Sequence, residues 1–228
     1  MYLMPSEPSE SDTAIDAELR SIKSRFAPVL ADAAQAIVDE AMSSASKAER
    51  RIAPTEVKNI LEGIERGVIS FEGNRIRFAN DPLRVCSLFA LNREYFLQIS
   101  AFIALMADYR YPADRCKFEY DKLDVCVFKD NLPWIYGETK ASQREAELLL
   151  EKITDRYGPT ASNFAHENGR GNDALQKVKQ IHKYPSLEYF WLVTPLKHWA
   201  FRIVRIAEDG AATGFSLDSV GDIPHYQA

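Results

Sequence analysis

Leu123-Asp124-Val125-Cys126-Val127-Phe128 and Ile135-Tyr136-Gly137-Glu138-Thr139-Lys140-Ala141-Ser142 are the two stretches on which the reading of this chain turns. Both are apolar and of strand length, and both carry β-branched residues. Asp130-Asn131-Leu132-Pro133 between them has turn chemistry. The pair therefore reads as a β-hairpin. Side chains alternate along a strand, so Glu138 and Lys140 project from one face. Asp124 begins the neighbouring strand, and the hairpin brings it beside Glu138. Charged groups between apolar strands cost free energy unless they are paired or bind a cation.

Two carboxylates meeting at one sheet edge form a hard oxygen site suited to Mg²⁺ or Mn²⁺. The carbonyl of Thr139 is a candidate third oxygen. Lys140 beside such an ion can orient an attacking water or offset phosphate charge. Gly137 leaves room for a close approach of backbone or ligand. Ser142 with Glu145 three residues on makes a capping box. The helix it opens, to about Tyr157, presents N–H groups near the strand end, where a phosphate is favoured. The plainer reading of the same residues is a Glu138–Lys140 ion pair on an exposed strand face.

Leu123-Asp124-Val125 followed by Tyr136-Gly137-Glu138-Thr139-Lys140-Ala141-Ser142 resembles the core signature of the PD-(D/E)xK nuclease superfamily, with Leu123 where the pattern has proline. The resemblance covers roughly residues 84–206. It implies a restriction-endonuclease-like core, with Asp124, Glu138 and Lys140 catalytic and Asp124, Glu138 and Thr139 holding Mg²⁺ or Mn²⁺. Glu94 on the preceding helix, Glu119 on the short first strand and Gln143 on the following helix are accessory candidates. Arg144 and Lys152 on that helix are candidate phosphate contacts, or solvated surface. The implied activity is that of a Mg²⁺-dependent endonuclease, a phosphodiesterase acting on DNA in defence, restriction or repair. Nucleases of this type often cut as homodimers. The alternative is a nuclease-like module that has lost catalysis and serves binding or assembly.

Outward from the hairpin, the pattern predicts an α+β or α/β fold, a mixed β-sheet flanked by helices. Apolar spacing predicts a largely buried helix from about Pro82 to Asp108, a short strand at Lys117–Tyr120 and a helix over Asp173–Lys183. Strands are expected near Tyr189–Val193, Trp199–Ile206 and Ala211–Leu217. Upstream, residues 1–11 read as a disordered tail. Residues 12–82 read as a mostly helical region: a helix from about Thr13 to Ser43, a polar linker, and a short helix from Pro54. A hairpin turns there at Gly73-Asn74. Residues 83–228 form the nuclease-like domain.

The net charge of −5 does not advertise nucleic-acid binding, but its distribution is uneven. Residues 1–82 hold 10 Lys/Arg against 14 Asp/Glu (−4), and residues 139–205 hold 11 against 7 (+4). Local positive charge attracts phosphates even on an acidic chain. Three cysteines without a Cys-x-x-Cys pair argue against a disulfide framework or zinc site. The four histidines are scattered. No apolar run reaches membrane-span length, and the acidic, Pro/Ser-rich stretch Met1 to Ser11 lacks the basic and apolar regions of a signal peptide. A cytoplasmic protein without a membrane partner is expected.

Overall fold

The computed structural model describes residues 54–72, 75–87 and 93–227. The expected tail, the Thr13–Ser43 helix and the linker lie outside these residues. The described chain opens with helix α1 (Pro54–Glu65) and an antiparallel three-stranded sheet, β1 (Ile69–Glu72), β2 (Arg75–Phe78) and β3 (Asp81–Ser87). The hairpin expected around residues 68–78 is β1–β2, paired from Ile69↔Phe78 to Glu72↔Arg75.

Strand β3 corrects the sequence reading, which began a helix at Pro82. Proline is compatible with the first turn of a helix, but also with an edge strand, where its missing N–H breaks no ladder bond. Among the described residues β3 is such an edge, pairing with β2 alone. The helix that follows, α2, spans Arg93–Ala107. Every residue from Phe96 to Met106 is buried, including the polar Gln98 and Ser100. Ser100 accepts a hydrogen bond from Asn59 of α1, and Gln98 donates to the backbone carbonyl of Asp124.

The main sheet has six strands: β4 (Cys116–Tyr120), β5 (Leu123–Lys129), β6 (Leu132–Thr139), β7 (Tyr189–Val193), β8 (His198–Glu208) and β9 (Ala211–Val220). They lie side by side in chain order. All neighbours are antiparallel except β6 and β7, which run parallel. A parallel pair needs a crossover. Here it comprises α3 (Gln143–Glu151), a π-helical turn (Lys152–Tyr157), a short 3₁₀ segment and α4 (Asp173–Lys183). This is an α+β architecture, a mixed sheet with helices on both faces.

Alternation along the strands divides the core in two. Val125, Val127, Ile135 and Trp191 pack with α1, α2 and the small sheet. Cys126, Tyr136, Phe190 and Leu192 pack with α3 and α4. Arg205 of β8 anchors α4 to this second face. Its half-buried guanidinium donates to the carbonyls of Ile181, Tyr184 and Leu187 at 2.9, 2.8 and 3.2 Å. The carbonyls at the C-terminal end of α4 thus meet a cation, the favourable sign for that end. Cys116 and Cys126 are buried free thiols.

Candidate functional site

Val125 pairs with Gly137 across the β5–β6 ladder. One residue further along an antiparallel pair brings Asp124 abreast of Glu138, and side chains directly opposite share a face. Glu138 has the parity of Tyr136 and points to the α3–α4 side. Its side chain is only 1% exposed.

Such a carboxylate needs partners. Lys140 Nζ lies 2.7 Å from Oε1, and Lys177 Nζ lies 2.7 Å from Oε2. The Tyr136 hydroxyl donates to Oε2 at 2.6 Å. Lys140 also meets Asp173 at 3.0 Å and Glu94 at 3.3 Å. Asp173, one turn before Lys177 on α4, lies 3.7 Å from it. Burial opposes the charge on both ammonium groups, but the surrounding carboxylates, Glu138 foremost, hold them protonated above the usual lysine range.

Asp124 has a different environment. Thr139 donates to its Oδ2 through both its backbone N–H (2.9 Å) and its hydroxyl (2.8 Å). Although part of the residue reaches solvent, its carboxyl lies deep. Burial, then repulsion from Glu138, pushes it up to about 7, against the pull of Lys177 and Thr139. A carboxyl raised by a neighbouring carboxylate is relieved by a cation placed between them.

The sequence-predicted residues divide as follows. Asp124, Glu138, Lys140 and Glu94 come together, with Thr139 as a hydrogen-bond donor to Asp124. Glu119 sits in β4 with φ 49° and is not among the groups that chiefly shift Asp124, Lys140 or Lys177. Gln143 bonds Glu147 of its own helix at 2.7 Å. Arg144 is exposed, whereas Lys152 lines the cleft that Lys140 opens onto. Gly137 serves packing rather than ligand approach: a Cβ there would meet Val125 Cγ2 at 2.3 Å and Trp191 Cε3 at 3.2 Å.

Tyr136, Asp173 and Lys177 were missed. Lys177 did carry a signal. It shares a helix face with Ala174, Val178 and Ile181, and a lysine among buried positions implies a counter-charge.

The chemistry of the donor set fits a divalent ion through two hard carboxylates, Asp124 and Glu138. Among the described residues no group of three or more His, Cys, Asp or Glu side chains is arranged to hold a metal. Any further oxygens would come from backbone, water or substrate, as is usual for Mg²⁺. No helix among the described residues is long and apolar enough to cross a membrane. Compared with known proteins, the chain matches no family model, no curated protein and no solved structure.

Proposed function

We propose that this protein is a divalent-metal-dependent nuclease of the PD-(D/E)xK kind, with a restriction-endonuclease-like core, that hydrolyses phosphodiester bonds in DNA. The observation that carries this reading is the buried Glu138 carboxylate with Lys140 Nζ at 2.7 Å and Asp124 abreast of it on the next strand. Asp124 and Glu138 would hold the ion through their carboxylates. A bound Mg²⁺ or Mn²⁺ supplies an activated water and neutralises charge on the phosphate. Lys140, at the floor of the cleft, is the group that reaches substrate. Its ammonium donates to the attacking water or to a phosphate oxygen. Thr139 holds Asp124 Oδ2 and Tyr136 holds Glu138 Oε2, so both carboxylates keep a set orientation. Lys177 acts through Glu138 as a positioning residue. Restriction, defence and repair are the settings this activity suits.

A second reading has its own support. Both oxygens of Glu138 are already matched by ammonium groups. That is the pattern of an ion-pair network in an inactive binding or assembly module. Incubating the purified protein with end-labelled DNA and Mg²⁺ or Mn²⁺ separates the two. The nuclease reading expects cleavage that stops in EDTA and falls at least about a hundredfold in Lys140→Ala, the scale of losing a transition-state stabiliser. Undiminished cleavage in Lys140→Ala contradicts it, and absence of cleavage under every condition favours the module.

A further inference from the structure

Lys140 opens onto a cleft of about 580 Å³ between α3 with its π-helical turn on one side and the start of α4 on the other. Three of its lining residues, Leu148, Lys152 and Arg156, stand four apart along one wall. All three are exposed, Leu148 at 44%. Glu94, Glu145 and Asp173 also line the cleft; Glu94 and Asp173 are engaged by Lys140, and Glu145 stands about two turns of helix before Lys152. Lys152 and Arg156 have no acidic partner among the described residues, and the Arg156 guanidinium lies 5.0 Å from the centre of the Tyr157 ring. Both cations lie within the one π-helical turn, about a turn apart.

The π-helical turn sets this wall against the opposite one. It buries Tyr157, whose hydroxyl accepts from Asn172 Nδ2 at 2.7 Å. Asn172 in turn caps α4, accepting from the Leu175 N–H at 3.1 Å. The wall that carries the cations and the helix that carries Lys177 are thereby tied together. Insertion of a π turn into an α-helix frequently marks a functional site.

We propose that this cleft admits one DNA strand, not a duplex, with its phosphates on Lys152 and Arg156 and a sugar or base against Leu148. This deepens the nuclease reading by naming its substrate class, and rests on that reading for the cleavage step. Depth decides between one strand and two: Lys140, whose side chain is 13% exposed, lies recessed between α3 and α4, where the flexible backbone of a single strand enters more readily than a paired one. Charge decides the occupant, since two unpaired cations in a row beside an exposed leucine match a backbone of phosphates interleaved with apolar faces.

The test measures binding of the full chain to a fluorescein-labelled oligothymidylate and to a blunt duplex of equal length. Anisotropy is read in EDTA over a KCl series, with Mn²⁺-dependent cleavage assayed in parallel. Wild type is expected to prefer the single strand. Lys152→Ala/Arg156→Ala is expected to weaken that binding about tenfold or more at low salt. It should also lower the slope of log affinity against log salt by about 1.4, two phosphates at about 0.7 each. Leu148→Ala should weaken binding and leave the slope unchanged, and Lys58→Ala, on the exposed side of α1 outside the cleft, should change neither. An unchanged slope in the double variant, or a preference for duplex, overturns the proposal. The catalytic reading fails separately: a changed slope without cleavage leaves the strand path standing, and cleavage with an unchanged slope removes the path alone.

Discussion

Lys177 Nζ lies 2.7 Å from Glu138 Oε2, so helix α4 closes over strand β6 through a single buried ion pair. Lys140 holds the other oxygen. One buried carboxylate thus meets two ammonium groups that are 11% and 13% exposed, and the half-exposed Asp173 and Glu94 add outer partners. Breaking a buried pair leaves a poorly compensated charge, and the cost scales with what is left behind. Glu138→Gln leaves both ammonium groups with these half-exposed carboxylates alone and should cost about 4 kcal/mol. Lys177→Met leaves Glu138 with Lys140 and should cost about 2 kcal/mol. Urea denaturation in EDTA checks the order, and a larger loss in Lys177→Met than in Glu138→Gln would contradict this charge balance.

Asp124 makes stability depend on pH with an unusual sign. Its folded-state pKa, pushed up to about 7 by burial and by Glu138, lies above the value of about 3.9 expected in the unfolded chain. The folded state therefore holds this proton more tightly. The resulting stability is fully present below about pH 4 and is lost as pH rises through 7. Comparison with Asp124→Asn isolates the effect from the other carboxylates. In EDTA, wild type minus variant should fall by a few kcal/mol between pH 4 and 7. A difference that stays flat would show that Asp124 is ionised throughout.

Gly137 is required by packing. A methyl group there would collide with Val125 Cγ2, and Trp191 Cε3 stands close behind. Gly137→Ala should lower stability by about 1–3 kcal/mol, the usual cost of overpacking. Truncating the obstruction in the double variant Gly137→Ala/Val125→Ala should recover part of it. Thermal unfolding reads both, and additive losses would argue against the collision.

Arg205 should govern the site from a distance. Its bonds to the carbonyls of Ile181 and Tyr184 at the end of α4, and of Leu187 beyond it, hold the helix that delivers Lys177 and Asp173. Arg205→Met should cost about 3 kcal/mol, since it leaves buried carbonyls unpaired. It should also raise amide hydrogen exchange in α4 more than in α2. Equal exchange changes in the two helices would show that Arg205 supports the fold generally, not α4 in particular.

Much of the site was legible because it rests on a period of two and a short turn. Asp124, Glu138 and Lys140 lie within one hairpin, so their shared face follows from counting along two strands. Lys177 comes from the crossover, and its approach depends on how α4 lies on the sheet, which no local pattern states. The buried face it shares with Ala174, Val178 and Ile181 was the available clue. β3 was misread because Pro82 satisfies both a helix start and an edge strand, and the pairing of Ile76 with Cys86 that decides the matter is non-local. The half-buried Gln143 illustrates the converse limit, since it lies next to the site in sequence yet bonds Glu147 of its own helix.

Calorimetric titration of the full chain with Mn²⁺ at pH 8, where Asp124 is ionised, bears most directly on whether two converging carboxylates form a cation site. Wild type is expected to bind Mn²⁺ with heat that disappears in Asp124→Ala, and Lys140→Met, which removes a competing ammonium, is expected to bind it more tightly. Absence of heat in wild type, or the same heat in Asp124→Ala, would contradict a metal site at Asp124 and Glu138 and leave the cluster as a structural ion-pair network.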